Sequence, residues 1–178
     1  MDMVSNKYIS SLALVSDGAV LAEDVRVDPF AIVEDNVEIG PGTHVHSGAI
    51  IRSGARIGSQ CEIHPYAVVA GVPQDLKFRG EETVAIIGDR TEIREYVTVS
   101  RGTASRGKTV IGEDCLIMAY AHVAHDCVLR DHVIIGNASQ IAGEVEIDDW
   151  AILSGSVLVH QFTLIGRCLL YTSDAADE

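Results

Sequence analysis

The sequence is poor in aromatic residues and has no long apolar run. Aromatic residues make up 5% of the 178 residues, although hydrophobic residues make up 47%. This combination favours a core of small aliphatic side chains stacked in a regular way. No stretch reaches the roughly 20 apolar residues that span a bilayer, and residues 1–8 lack the basic and apolar regions of a signal peptide. We therefore expect one domain with a sizeable core and no transmembrane segment.

Basic residues are also scarce. The chain has 13 Lys and Arg residues against 26 Asp and Glu residues, a net charge of −13, which argues against general nucleic-acid binding. No cysteines have the CxxC spacing of metal sites. A reducing compartment, in which the cysteines stay free thiols, is the simplest interpretation. The four cysteines are Cys61, Cys115, Cys127 and Cys168.

A six-residue repeat dominates the chain from Ser10 onward. Each block ends in an aliphatic residue, and a small or β-branched residue lies two positions earlier. A period of six is a multiple of the strand period of two, so the repeat favours short strands over helix. Three of the cysteines fall at the small position, where they would fill the core. The first ten block ends are Val15, Leu21, Val27, Val33, Ile39, Val45, Ile51, Ile57, Ile63 and Val69.

Two interruptions divide the repeat, near residues 71–82 and 100–108, and we interpret both as excursion loops. Glycine and proline recur at fixed phases between blocks, which predicts a repeated corner. Strands that turn at regular corners and stack coil on coil form a parallel β-helix. We assign residues 1–168 to this all-β solenoid. Residues 169–178 lack the repeat and are interpreted as a non-repeat, foreign tail that replaces a natural C-terminal part.

Four stretches in this order resemble one family of hexapeptide-repeat acyltransferases, the bacterial UDP-N-acetylglucosamine O-acyltransferases that open lipid A synthesis. They are residues 73–77 (PQDLK), 93–103, 121–127 (AHVAHDC) and 159–162 (VHQF). The resemblance implies a left-handed parallel β-helix in a cytoplasmic homotrimer, with active sites between subunits. An acyl carrier protein would deliver a 3-hydroxyacyl thioester to the sugar 3-hydroxyl, with no metal or other cofactor. The helical C-terminal domain of the family is missing from this sequence.

Residues 18 apart should stack if each coil contains three hexads, which places His125, Gly143 and Gln161 in one column. Acyl transfer to a hydroxyl needs a base and a donor for the tetrahedral oxyanion. The resemblance implies that His125 is the base, that Gly143 is the oxyanion donor and that Asp126 supports the imidazole. Alternatively, His125 is a surface histidine at a corner, Gly143 an ordinary turn glycine and Asp126 a solvated corner carboxylate.

The same resemblance implies that His122, Glu144, His160 and Gln161 bind substrate. His122 and His160 would orient the sugar, and their alternative role is packing between subunits. Gln161 would form a hydrogen bond to substrate, and its alternative role is an exposed polar side chain on one coil. Glu144 and Ser100 stand where the best-known family members have histidine, which puts one sugar contact in doubt.

The first excursion loop carries Gln74, Asp75 and Lys77. Loops that leave a rigid scaffold are usual places for ligand contacts. The resemblance implies that Asp75 and Lys77 reach the sugar nucleotide in a neighbouring subunit's site. Without it, the stretch would be interpreted as a flexible polar loop.

Three other functions remain open at this point. His122, His125 and His132 suggest zinc ligands of a γ-type carbonic anhydrase, since neutral imidazoles bind zinc well, although the ligand spacing differs. A related N-acyltransferase of lipid A synthesis is a nearer alternative, but it usually carries an extra N-terminal domain. A non-enzymatic β-helix scaffold would use the histidines only at an interface.

Overall fold

The structure is a computed structural model that describes residues 7–172. Within that range all regular elements are strands, and the chain forms the left-handed parallel β-helix that the hexads predict. The same residues contain no helix long and apolar enough to cross a membrane.

Most strands are only two residues long, because each hexad provides one strand and one corner. In chain order they are β1 Tyr8–Ile9, β2 Leu14–Val15, β3 Val20–Leu21, β4 Arg26–Val27, β5 Ile32–Val33, β6 Glu38–Ile39, β7 His44–Val45, β8 Ile50–Ile51, β9 Ala55–Ile57, β10 Glu62–Ile63, β11 Val68–Gly71, β12 Val84–Ile87, β13 Glu92–Ile93, β14 Thr98–Ser100, β15 Lys108–Ile111, β16 Leu116–Ile117, β17 His122–Val123, β18 Val128–Leu129, β19 Ile134–Ile135, β20 Gln140–Ile141, β21 Glu146–Ile147, β22 Ile152–Leu153, β23 Leu158–Val159, β24 Leu164–Ile165 and β25 Leu170–Tyr171.

Every third strand joins the same parallel sheet, so three strands make one coil. The three sheets contain nine, eight and eight strands; the first begins with β1, the second with β2 and the third with β3. Stacked partners lie 18 residues apart, as Val45 and Ile63 do. The spacing widens to 30 at Ile63 and Ile93 and to 24 at Ile93 and Ile117. The added residues form loop 1 (72–83, between β11 and β12) and loop 2 (101–107, between β14 and β15).

The core is the stack of inward residues that the repeat predicts. Within a strand the side chains alternate, so the aliphatic residue and the small residue two positions earlier both point inward. Val45, Ile63, Ile93 and Ile117 are fully buried. The core column therefore runs through both loop insertions without a break.

The inward cysteines are core residues, as predicted. Cys61, Cys115 and Cys127 are buried free thiols, and the Cys127 thiol donates a hydrogen bond to the Ala142 carbonyl at 3.1 Å. Burial raises the pKa of Cys115 to about 11 and the pKa of Cys127 to about 12. Both remain protonated at neutral pH and are therefore poor nucleophiles.

The chain turns at regular corners, as the repeat predicts. Left-handed backbone is adopted mostly by non-glycine residues spaced six apart, such as Tyr120 and Asp126, with φ of 64° and 60°. The repeated glycines instead permit close approach of coils: a Cβ on Gly40 would lie 2.7 Å from the Gly58 carbonyl carbon, and one on Gly88 would lie 2.5 Å from the carbonyl carbon of Gly112. Glycine is needed there for space rather than for positive φ.

The β-helix also continues past its predicted end at Cys168. Strand β25 places Tyr171 on Leu153, the expected partner 18 residues earlier. The prediction was wrong here because Tyr171 is not aliphatic, although it keeps the phase of the repeat. Residues 173–178, the rest of the predicted tail, lie outside the described residues.

Substitution of the core residue Ile117 by alanine should lower the free energy of unfolding by about 2–5 kcal/mol, since a fully buried aliphatic side chain leaves a cavity when truncated. Urea unfolding measures this change. Leu76→Ala is the control: Leu76 is 96% exposed, so the change should stay within about 0.5 kcal/mol. Equal effects of the two substitutions would contradict the assignment of the core.

Candidate active site

The corner that follows β17 projects His125 from the scaffold. The chain turns at residues 125 and 126, and Asp126 adopts left-handed backbone with φ of 60°. Aspartate is one of the few residue types that tolerate this conformation well. The turn buries Asp126 and leaves the side chain of His125 14% exposed.

Asp126 is fully buried and accepts several hydrogen bonds. His125 Nδ1 lies 2.8 Å from Asp126 Oδ2. Thr103 donates to the same carboxylate from its hydroxyl at 2.6 Å and from its backbone N–H at 3.0 Å, and the Arg106 N–H donates at 3.2 Å. The interpretation of Asp126 as a solvated corner carboxylate is therefore wrong.

These contacts fix the charge of Asp126 and the tautomer of His125. Burial opposes ionisation of Asp126, but the hydrogen bonds from Thr103, His125 and Arg106 outweigh it and hold the pKa below its usual value. An ionised carboxylate only accepts hydrogen bonds, so the proton of a neutral His125 ring lies on Nδ1. Nε2 then carries the lone pair and can act as a base.

Gly143 lies against the His125 ring, in the column predicted from the 18-residue spacing. A Cβ at Gly143 would lie 2.7 Å from His125 Cε1 and 2.8 Å from Nε2. The corners stack directly, since the Glu144 N–H donates to the His125 carbonyl at 3.0 Å and the Phe162 N–H donates to the Gly143 carbonyl at 3.3 Å. Any larger residue at position 143 would displace the imidazole.

A cleft of about 240 Å³ opens over this column between the two excursion loops. It brings together five of the predicted site residues, from loop 1 and from the stacked corners. Its walls also include residues that the sequence did not single out. The predicted residues are Asp75, Lys77, His125, Glu144 and Gln161, and the others are Phe78, Glu81, Thr103, Ala104, Ser105 and Phe162.

Loop 1 contributes to the cleft of its own chain. The Asp75 carboxylate accepts a hydrogen bond from the Lys77 N–H at 2.8 Å, which forms a local turn. The guanidinium of Arg101 lies 5.5 Å from the centre of the Phe78 ring and also donates to the Ser53 carbonyl at 3.0 Å. Asp75 and Lys77 thus line the cleft of their own His125, and their role in a neighbouring subunit's site stays a prediction.

The remaining predicted residues lie outside this cleft. His122 and His160 line a neighbouring hollow with a mainly aliphatic wall. The Nδ1 atom of His122 is 2.7 Å from Thr98 Oγ1, and burial lowers the pKa of His122, which favours its neutral form. Gln74 is exposed on loop 1, and Ser100 is buried in β14.

Loop 2 supplies the contacts that sequence reasoning missed. Besides the bonds to Asp126, the Ser105 hydroxyl donates to Glu144 at 3.2 Å and Arg106 lies 2.7 Å from a carboxylate oxygen of Glu146. The hexad phase predicts contacts between coils but not within an insertion. The only signal for Thr103 was its place in the stretch 93–103 that carries the family resemblance.

The suggested zinc set of His122, His125 and His132 does not assemble within this chain. His132 stacks on Trp150 at a different corner, with ring centroids 3.9 Å apart. His125 is bonded to Asp126 and His122 to Thr98.

Removal of the Thr103 hydroxyl by Thr103→Val should release loop 2 while the β-helix stays folded. A hydrogen bond to a charged group contributes about 1.5–3 kcal/mol, so the open population of the loop, and cleavage after Arg106 by trypsin, should rise about tenfold or more. Native-state proteolysis measures this rate.

Thr43→Val is the matched control, because Thr43 is buried and donates to the Gly58 carbonyl at 2.7 Å, away from the loop. It should lower overall stability without opening loop 2. Equal cleavage after Arg106 in both variants would refute the role of Thr103.

Comparisons with known proteins agree with the fold and the repeat. The profile of the bacterial transferase hexapeptide family (six repeats) matches residues 18–53 and 108–143. A structure of UDP-N-acetylglucosamine O-acyltransferase from Moraxella catarrhalis is 31% identical, with a TM-score of 0.81 over 96% of this chain and 72% of that one. A UDP-N-acetylglucosamine acyltransferase from Bacteroides fragilis is 42% identical, with a TM-score of 0.83 over 92% of this chain and 66% of that one.

A curated relative is more similar in sequence. The acyl-[acyl-carrier-protein]–UDP-N-acetylglucosamine O-acyltransferase of Pseudomonas fluorescens is 55% identical over 159 residues, which is 89% of this chain. The chain spans 62% of the length of that relative.

Proposed function

Because the chain belongs to the UDP-N-acetylglucosamine O-acyltransferase family of hexapeptide-repeat proteins, we propose that it transfers a 3-hydroxyacyl group from acyl carrier protein to the 3-hydroxyl of UDP-N-acetylglucosamine. This is the first step of lipid A biosynthesis. The observation that carries the proposal is the His125–Asp126 pair held over Gly143 in a cleft between two loops.

His125 acts as the general base. Its Nδ1–H is bonded to the Asp126 carboxylate, so Nε2 takes the proton of the sugar hydroxyl as the hydroxyl oxygen attacks the thioester carbonyl carbon. The ionised Asp126 stabilises the imidazolium that forms. When the tetrahedral intermediate collapses, the carbon–sulfur bond breaks and the imidazolium returns its proton to the leaving thiolate.

Gly143 provides the donor for the oxyanion. The N–H of Gly143 donates to no backbone carbonyl among residues 7–172. The N–H groups of its neighbours Ala142 and Glu144 both donate to one. A preorganised N–H beside the base stabilises negative charge as it develops on the thioester oxygen. The lack of a side chain leaves the approach open.

Substrate binding falls to the walls of the cleft and to the hollow beside it. Lys77 offers a cation to the nucleotide diphosphate, and Asp75, Gln74 and Gln161 offer hydrogen bonds to the sugar nucleotide. Glu144 faces the same cleft where well-known members have histidine, and its carboxylate accepts hydrogen bonds from substrate hydroxyls. His122 and His160 orient substrate from the neighbouring hollow.

The proposal includes a cytoplasmic homotrimer that binds acyl carrier protein but not nucleic acid. Large apolar side chains on the outer face of the second sheet support subunit packing: Leu14 is 66% exposed and Leu158 is 76% exposed in the single chain. Leu14 stacks on Ile32 and Ile32 on Ile50, and such an apolar patch is typical of an interface, whereas Leu158 lies at the far end of the same sheet. The net charge of −13 supports the exclusion of nucleic acid.

Mass spectrometry of a reaction with UDP-N-acetylglucosamine and 3-hydroxyacyl carrier proteins of several chain lengths tests the proposal. The assay uses the complete natural protein. We expect an ester-linked product whose formation requires His125. Acylation only of the corresponding amino sugar would favour the N-acyltransferase, and no product from a confirmed trimer would refute acyl transfer.

A further inference from the structure

A second cluster of titratable side chains lies on the outer face of the first sheet. Strands β4, β7, β10 and β13 are neighbours there. In each of these strands, the residues before and after the inward aliphatic residue both point outward. Stacking of the strands, which are about 4.8 Å apart, therefore produces two adjacent columns of outward side chains. One column contains Arg26, His44, Glu62 and Glu92. The other contains Asp28, His46, His64 and Arg94.

Two imidazoles and one carboxylate converge at the Asp28 edge of this cluster. The rings of His44 and His46 stack with centroids 3.7 Å apart. Asp28 Oδ2 lies 2.9 Å from His44 Nε2 and 3.9 Å from His46 Nδ1. The other carboxylate oxygen is bonded to Arg26 at 2.9 Å, which orients Oδ2 toward the rings.

A similar set lies at the opposite edge. Glu62 Oε2 is 2.7 Å from His46 Nε2 and 3.4 Å from His44 Nδ1, and the ring of His64 stacks on His46 with centroids 4.8 Å apart. His64 Nε2 is buried and has no hydrogen bond of acceptable geometry, although Glu92 Oε1 lies 2.9 Å away. Distance alone does not make a hydrogen bond, because the bond weakens steeply when donor and acceptor are misaligned.

The donor atoms at the Asp28 edge have the spacing of metal ligands. Ligand atoms about 2.0–2.1 Å from one tetrahedral zinc ion lie about 3.3 Å apart, and the separations of 2.9 and 3.9 Å bracket that value. We propose that Asp28, His44 and His46 bind a divalent transition-metal ion of the zinc class. Water completes the coordination.

Burial and charge support this assignment. The side chains of Asp28, His44 and His46 are 13%, 18% and 24% exposed, so their rotamers are largely fixed by packing. The positive charge of Arg26, bonded to Oδ1, balances the Asp28 carboxylate and leaves Oδ2 directed at the two rings.

The site is separate from the chemistry proposed above. None of its three ligands lines the cleft of His125. An ion here would join the neighbouring strands β4 and β7, and would therefore stabilise the coils before loop 1. The acyl-transfer reaction does not use it.

Zinc chloride binding to the complete protein, measured by competition with a chromophoric chelator, tests the assignment. We expect about one tight zinc ion per chain, and at least about tenfold weaker binding after His46→Gln or Asp28→Asn. His132→Gln is the matched control, because His132 lies at another corner against Trp150. Circular dichroism establishes that each variant is folded.

His64→Gln distinguishes the two edges. It should leave zinc affinity within about threefold of the wild type, since His64 belongs only to the set at the opposite edge. Wild-type binding no tighter than that of His46→Gln, or equal loss in His132→Gln, would overturn the site. Loss in His64→Gln with retention in Asp28→Asn would overturn the choice of ligands.

Discussion

Substitution of His125 by alanine is expected to lower kcat for acyl transfer by about 10²- to 10⁴-fold, the usual contribution of a positioned general base. The variant retains Gly143 and the loop residues, so KM for the sugar nucleotide should change much less. Stability should also change little, because Asp126 keeps its hydrogen bonds from Thr103 and Arg106. Steady-state kinetics with the complete protein separates these effects.

His132→Ala is the matched control for this measurement. It removes another imidazole at a β-helix corner, one that stacks on Trp150 rather than facing the cleft. Its kcat should remain within about threefold of the wild type. Full activity of a folded His125→Ala variant would show that another group accepts the proton.

Replacement of Asp126 by asparagine is expected to reduce kcat by about 10³-fold or more, as wrong-tautomer substitutions do in other acyl-transfer enzymes. An amide that donates to His125 Nδ1 forces the imidazole proton onto Nε2, which can then no longer accept a proton. The same amide group cannot satisfy every donor around it. An unsatisfied buried donor costs about 1–3 kcal/mol, so loop 2 should open as well.

Two observations separate the contributions of Asp126. Asp131→Asn is the control for general stability, because Asp131 is also a corner carboxylate and accepts from the Glu113 N–H at 2.8 Å; its kcat should not fall. The pKa of Asp126 is lowered from the usual value of 3.8. The ionised carboxylate therefore stabilises the fold fully above pH 3.8, and this stabilisation is lost as the pH falls through the lowered pKa. Asp126→Asn should therefore weaken the acid dependence of unfolding, and an unchanged profile would contradict the ionised state.

The repeat predicted the coils because one physical rule governs them all. Inward positions such as Ile63 and Ile93 follow from strand alternation, and the contact of His125 with Gly143 follows from stacking 18 residues apart. The same rule, applied to the outward positions, would have placed His44 over Glu62. Most of the β-helix can therefore be predicted from the six-residue repeat alone.

The loops are different because they have no period. Thr103 meets Asp126 only after loop 2 folds back over the corner, and Phe78 meets Arg101 across two insertions. Such contacts depend on side-chain packing that a single sequence does not encode locally. The repeat also does not show which corner residues adopt left-handed backbone, and in the structure they include residues such as Tyr120.

The regular spacing of stacked strands also has a consequence in chain entropy. Paired residues are 18 apart in an ordinary coil, as for Val45 and Ile63, and 30 apart across loop 1, as for Ile63 and Ile93. Because closure entropy grows only with the logarithm of loop length, the insertion adds about 0.5 kcal/mol. That is less than the contribution of one buried methylene group, about 0.8 kcal/mol. A long excursion loop at a corner therefore adds little closure entropy to the cost of folding the β-helix.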